Sequence, residues 1–368
     1  MAVVAGCAGA TGGTTSSTED PLTRPEVSLA AETLPGALDG AWPLQIARGD
    51  DGWLVPFSDG GAVSVRRVGD DGARDDRFVD RGTLVGTVAT SDGFALVVAG
   101  GGEFRAHFVA RDGSDTVVHA PLEGNAVPGI ASDGERLLVA ATTGGEIAIE
   151  EPRPLTATMA LIARDGARVV ELGTVATAPT PWGDRDGFIV SSRLLLDGSS
   201  GAMSLAPGRQ VRDARVFRMP IAAGTQPTTD TISLGDDHWL TVDGLVGWAG
   251  RDGDGARLEV VTSTGRSLVE VGDDLTPRTP RALPSTTRGD GAQSWVAAAS
   301  GAHVVWAATA QNDPVFAILD ASAMQPESGI VRIRNATSRT TIVSPGASSV
   351  LFAWTEGDGV VRYAVFPW

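Results

Sequence analysis

Hydrophobic residues along this chain come in short runs closed off by turn formers, without the three-to-four spacing of an amphipathic helix. DGWLVPF (51–57), SDGFALVVA (91–99) and SDGERLLVAA (132–141) share one plan. An Asp-Gly pair opens a tight turn, and a strand of aliphatic and aromatic residues follows. Asp-Gly between β-rich runs is a strong hairpin signal, because glycine takes positive φ without strain. Gly52, Gly93 and Gly134 recur with a constant step. Looser copies follow at 184–192 (DRDGFIVSS), 235–242 (GDDHWLTV), 300–309 (SGAHVVWAAT) and 346–355 (GASSVLFAWT). A second strand ending in another turn follows several of them: 63–72, 104–113, 157–166 and 257–265.

A unit of about 40–50 residues holding four short strands has the size of a propeller blade. The seven copies therefore predict an all-β chain, a seven-bladed β-propeller of four-stranded antiparallel blades over 26–368. The last copy supplies strands near 340–344, 349–354 and 360–366, one short of four. EVSLAAE (26–32) is expected to pair beside 360–366, closing the ring and removing an exposed sheet edge. On this spacing the chain resembles the bacterial β-propeller superfamily in general, over about residues 27–368. The WD dipeptide, the full kelch motif, the PQQ-type Trp motif and the sialidase Asp-box are not in the sequence. MSLAPGRQVRDARVFR (203–218) is the one stretch whose period also admits a helix.

Cys7 is the sole cysteine. Val4-Ala5-Gly6-Cys7 resembles the bacterial lipobox, which implies a diacylglycerol on the thiol. AGATGGTTSSTEDPLTRP (8–25) reads as a flexible tether, so 1–25 is set apart from the propeller. MAVVAG is shorter than the charged and apolar regions of a secretory signal, and a chance cysteine in an unstructured N-terminus is the plain alternative. The lipobox reading implies a cell-envelope, outer-membrane lipoprotein facing periplasm or exterior, held to the membrane through its lipid alone.

Composition narrows the partners. A net charge of −16 and a pI near 4.6 exclude a nucleic-acid surface, which needs clustered cations. No lysine occurs, and a single cysteine rules out an internal disulfide. No run approaches the roughly 20 apolar residues of a membrane span. A monomer is expected.

Candidate chemistry lies in the longer connections, 142–156, 243–256 and 272–291, expected on the face opposite the Asp-Gly turns. Loops on a rigid scaffold are where function concentrates. Glu146, Glu150, Glu151 and Trp248 there, with Trp182 in PTPWGD, are candidate ligand-binding residues. The tryptophans could stack on sugar rings, or pack between blades as expected of Trp53, Trp239, Trp306 and Trp354. Asp252 and Asp254 have the alternate spacing of a calcium loop start without its downstream Glu, and a plain turn is the alternative. No other cofactor is implied. Arg209, Arg212, Arg215 and Arg218 would share a face on a helix and bind an anion, or belong to a solvated outer strand.

His107, His119, His238 and His303 lack zinc spacing, and neither a nucleophile elbow nor a P-loop occurs. Tyr363 falls within a predicted strand, which weighs against a sialidase-type nucleophile. No catalytic residue is assigned. The expectation is a non-catalytic module binding an envelope protein or glycan. The alternative is a polysaccharide hydrolase or lyase using carboxylates of the long-loop face.

Overall fold

The hydrophobic runs that open each repeat are buried on both sides, and this organises the molecule. In GFALVVAG (93–100), Phe94, Leu96 and Val98 enter one apolar cluster, whereas Ala95 and Val97 enter another. A strand presents alternate residues to opposite faces, so a continuous apolar run belongs to a sheet packed between two others. In 349–355, Leu351 and Ala353 face one neighbour, and Val350, Phe352 and Trp354 the other. In 303–310, Val304, Trp306 and Ala308 likewise oppose Val305 and Ala307.

This computed structural model describes residues 19–37, 46–50, 52–69, 74–126, 130–144, 154–176, 189–196, 200–206, 213–220, 222, 226, 228–233, 238–248, 256–262, 265–271, 280–284, 294–300, 302–336, 342–346 and 348–367. Among them lies one 3-10 turn, Pro21–Thr23; every other regular element is a strand. Two short strands come first, β1 (Glu26–Val27) and β2 (Glu32–Leu34). The first sheet is β3 (Ala47–Gly49), β4 (Gly52–Asp59), β5 (Ala62–Gly69) and β6 (Arg74–Arg81). The second is β7 (Thr83–Thr90), β8 (Gly93–Gly100), β9 (Glu103–Ala110) and β10 (Asp115–Ala120). In the third, β11 (Asn125–Ala126) and β12 (Ala131–Ser132) both pair with β13 (Leu137–Gly144), followed by β14 (Pro154–Ala163) and β15 (Gly166–Ala176).

The fourth is β16 (Ile189–Leu196), β17 (Ser200–Ala206), β18 (Asp213–Pro220) and β19 (Thr228–Ser233). The fifth is β20 (His238–Trp248), β21 (Ala256–Thr262), β22 (Gly265–Val271) and β23 (Arg281–Ala282). The sixth is β24 (Ser294–Ser300), β25 (His303–Ala310), β26 (Asp313–Asp320) and β27 (Ile330–Arg332), with β1 added parallel to β27. The last contains β28 (Ile342–Pro345), β29 (Ser349–Thr355) and β30 (Val361–Pro367), with β2 antiparallel to β30.

Apart from β1 and β2, the strands within a sheet follow chain order, so connections sort to two ends. First-to-second and third-to-fourth turns meet at one end, where Arg111 N–H donates to Asp92 O at 2.9 Å and Ala321 N–H to Ala302 O at 2.7 Å. This is called the turn end. Second-to-third hairpins and sheet-to-sheet links meet at the other, where Gly82 N–H donates to Gly61 O and Gly357 N–H to Asn335 O, both at 3.0 Å. Apolar clusters join the fifth sheet to the sixth, the sixth to the last, the last to the first, the first to the second and the second to the third. β16 touches β12 and β13 on one side and β20 on the other.

Several expectations change in detail. The copies at 184–192 and 235–242 lead into the first strands of their sheets, β16 and β20, where the other copies open second strands. Residues 203–218 are not helical where described; they contribute to β17 and β18, and the backbone ladder there runs unbroken to β19. β18 has partners on both sides, so it is not an outer strand either. Of 26–32, only Glu32 pairs with β30, and the pairing continues to Leu34; Glu26 and Val27 instead join β27. The connections opposite the Asp-Gly turns are short in three sheets, two residues at 60–61, 101–102 and 311–312.

Candidate functional site

Cys7, Glu146, Glu150, Glu151, Trp182, Asp252 and Asp254 lie outside the described residues. Trp248 is the last residue of β20, opposite Ala256 of β21, and not part of a loop. It stands at the turn end of its sheet, whereas Gly144, the last described residue before Glu146, stands at the opposite end of the third sheet. The segments expected to share one face therefore leave from opposite ends. Among the described residues, no three His, Cys, Asp or Glu side chains are placed to hold a metal ion, and no helix is long and apolar enough to cross a membrane.

Several groups of polar side chains that the fold brings together lie between sheets. β6 faces β9 and β10 across the first-to-second interface. Arg105 Nε donates to Asp80 Oδ2 at 2.6 Å, and His107 Nε2 lies 3.1 Å from the same oxygen. His107 Nδ1 lies 3.2 Å from Asp115 Oδ2, and Arg77 stands 3.5 Å from that oxygen. The His107 side chain is 5% exposed. Arg105 also donates to the carbonyls of Gly100 (2.9 Å) and Arg81 (2.7 Å). Burial alone would raise the Asp80 pKa, but hydrogen bonds from Arg105, the Arg81 N–H and His107 together bring it below the ordinary carboxylate value. Arg105 and His107 are two apart on β9, hence on one face, and that face meets Asp80 of the neighbouring sheet.

A second group joins the last sheet to the first. Tyr363 on β30 donates its hydroxyl to Glu32 on β2 at 2.8 Å, and Arg74 of β6 pairs with the same carboxylate. Arg66 on β5 holds both Asp76 oxygens at 2.6 Å, donates to Thr33 O at 2.9 Å, and lies 5.9 Å from the Tyr363 ring centroid. That hydrogen bond from Arg66 lowers the Asp76 pKa. Tyr363 is raised, first by burial and then by Glu32, so its hydroxyl stays protonated and serves as a donor. This is the opposite of what a phenolate nucleophile requires.

A third device repeats at the turn end. Arg111, in the ARDG of the second sheet, donates to Asp50 in the first Asp-Gly turn at 2.8 Å. Arg164, in the ARDG of the third sheet, holds Asp92 in the second turn at 2.6 Å. Each turn is thereby tied to the next sheet. Three tryptophans expected between sheets are there: Trp53 and Trp306 at 1% and 0% exposure, Trp354 at 5%. Arg48 stacks 4.3 Å from the Trp53 ring centroid. The Asp80–His107–Asp115 group was not singled out in the sequence. Its one local signal is the run Glu103, Arg105 and His107 at alternate positions of β9, with apolar residues between them.

No protein-family model and no curated protein matches the chain. Among solved structures it is similar to an oligogalacturonate lyase from Vibrio parahaemolyticus, with a TM-score of 0.58 at 11% identity, covering 93% of this chain and 98% of that one. It is similar to an acylaminoacyl peptidase at TM-score 0.50 and 10% identity, over 86% of this chain and 49% of that one. For the Dos1 propeller the TM-score is 0.47 at 10% identity, over 92% and 86%. The likeness to the lyase and the peptidase, at such identity, is likeness of fold. With the stacked four-stranded meanders described above, the chain is a β-propeller.

Proposed function

We propose that this chain is a closed seven-bladed propeller acting as a non-catalytic, lipid-anchored module of the cell envelope that binds a protein or glycan. The observation that carries the non-catalytic part is the use made of its acid–base side chains. Asp76, Asp80, His107, Asp115, Glu32 and Tyr363 are all engaged by partners within or between sheets. Groups so engaged hold the scaffold rigid, and a rigid ring is a platform for loops that recognise something. Closure is supported by β2 on β30 and by the apolar cluster shared by the last and first sheets. Anchoring rests on the lipobox-like Val4-Ala5-Gly6-Cys7, and calcium at Asp252 and Asp254 is a subsidiary possibility within this reading.

A second reading, a polysaccharide hydrolase or lyase, draws on the fold likeness to the oligogalacturonate lyase, which puts no catalytic residue on this chain. The net charge of −16 favours neutral or basic ligands over polyuronates. Two results test the proposal. The N-terminal peptide from the native host's membranes should begin at a diacylated Cys7; an unmodified peptide beginning at Met1 overturns the anchor. Incubated with neutral and uronate polysaccharides, the protein should bind without creating new reducing or unsaturated ends. Steady product formation would establish the enzyme instead.

A further inference from the structure

The N-terminal segment crosses four sheets before the first repeat begins. Leu22 is buried with Leu268 and Leu283 of the fifth sheet and Trp306 and Met324 of the sixth. Pro25 O accepts from Ile330 N–H at 3.0 Å, and Arg24 reaches Pro326 O at 3.5 Å. β1 then runs parallel to β27, and Glu26 meets Arg334 at 3.0 Å. β2 completes the last sheet, and Ala37 bridges Ser58 of the first.

This path has a direction. Met324 and Pro326 belong to the connection between β26 and β27, the third-to-fourth link of the sixth sheet. His303 Nδ1 at the start of β25 meets Glu327 of that connection at 2.8 Å, so it lies at the turn end. Residues 20–25 are therefore held at the turn end, and Ala37 arrives at the opposite one, where Ser58 precedes the hairpin at 60–61. Whatever holds the chain upstream of residue 19 pulls on the turn end. From Cys7 to Glu19 the chain can reach at most about 40 Å.

We propose, building on the reading that Cys7 is the anchor, that the turn end faces the membrane and that ligand approaches the opposite end. Two histidines report the two ends: His303 at the turn end, 29% exposed, and His119 near the close of β10 at the opposite end, 59% exposed.

The test uses the full chain coupled through its one thiol to a maleimide lipid in phosphatidylcholine vesicles. Hydroxyl-radical oxidation of each histidine is compared between coupled and free protein. Coupling should slow oxidation of His303 at least two-fold and leave His119 unchanged. Moving the thiol, as Cys7→Ser with Asp59→Cys, should reverse the pattern. Equal protection of both histidines, or protection of His119 alone in the Cys7-coupled protein, overturns the orientation. Coupling here is chemical, so a native chain found without lipid on Cys7 would overturn the anchor by itself, separately from the footprint.

Discussion

At the scale of single residues, the recurrent glycine has two causes that the repeat cannot distinguish. A Cβ on Gly93 would lie 2.2 Å from Val109 O in the facing strand, and one on Gly52 would lie 2.2 Å from Val68 O. At Gly134 nothing comes closer than 3.8 Å, but φ is +96°. Steric exclusion fixes Gly93, steric exclusion and a φ of +152° together fix Gly52, and backbone conformation alone fixes Gly134. Gly93→Ala should therefore cost about 1–3 kcal/mol by forcing paired strands apart, and Gly134→Ala about 1–2 kcal/mol from the left-handed backbone. A Gly93→Ala protein as stable as the parent would contradict the close strand approach. The sequence shows that glycine recurs; only the partner strand shows why.

At the scale of elements, strands anchored by Asp-Gly or ARDG turns were legible, because the turn fixes where the strand starts. β4, β8 and β13 follow from that signal, and β25 and β29 from the looser copies without the Asp. Where the turn pair is followed directly by a first strand, as before β16 and β20, the same signal misassigns the strand's place in the sheet. The clasp between β6 and β9 was not legible, since its partners are 25 and 27 residues apart and belong to different sheets. It does, however, carry a consequence for pH. Asp80 is lowered in the folded state, so its stabilisation is full above the unfolded carboxylate value, about 3.9, and is lost as the pH falls through the lower folded value. Asp80→Asn should destabilise by about 1–3 kcal/mol at pH 7. That gap should narrow below about pH 4, read as the difference in urea midpoints. A gap that stays constant down to pH 3 would contradict the assignment.

At the scale of the whole molecule, the expectation that the N-terminus completes the last sheet was half right. The sequence showed a C-terminal unit one strand short and a β-rich segment free to fill it. It could not show that Glu26 and Val27 would stop at the sixth sheet first, since that depends on Arg332 and Arg334 lying beside Glu26. The candidate ligand residues fared differently. Glu146, Glu150, Glu151 and Trp248 are candidates through their place in long connections, and Trp248 shows how a strand that runs on past its expected end removes a residue from such a loop. The proposed closure rests on the meeting of chain ends. Thr33 lies opposite Arg362, whose Nη1 donates to its hydroxyl at 2.7 Å across a sequence separation of 329. Side chains directly opposite in an antiparallel pair approach closely enough for a disulfide with small adjustment. The most direct measurement of the proposed closure is therefore thiol titration of a Cys7→Ser protein carrying Thr33→Cys and Arg362→Cys. Mild oxidation should consume both thiols within the monomer and raise the denaturation midpoint. Thiols that remain reactive in the folded protein, or that link only between molecules, would contradict closure.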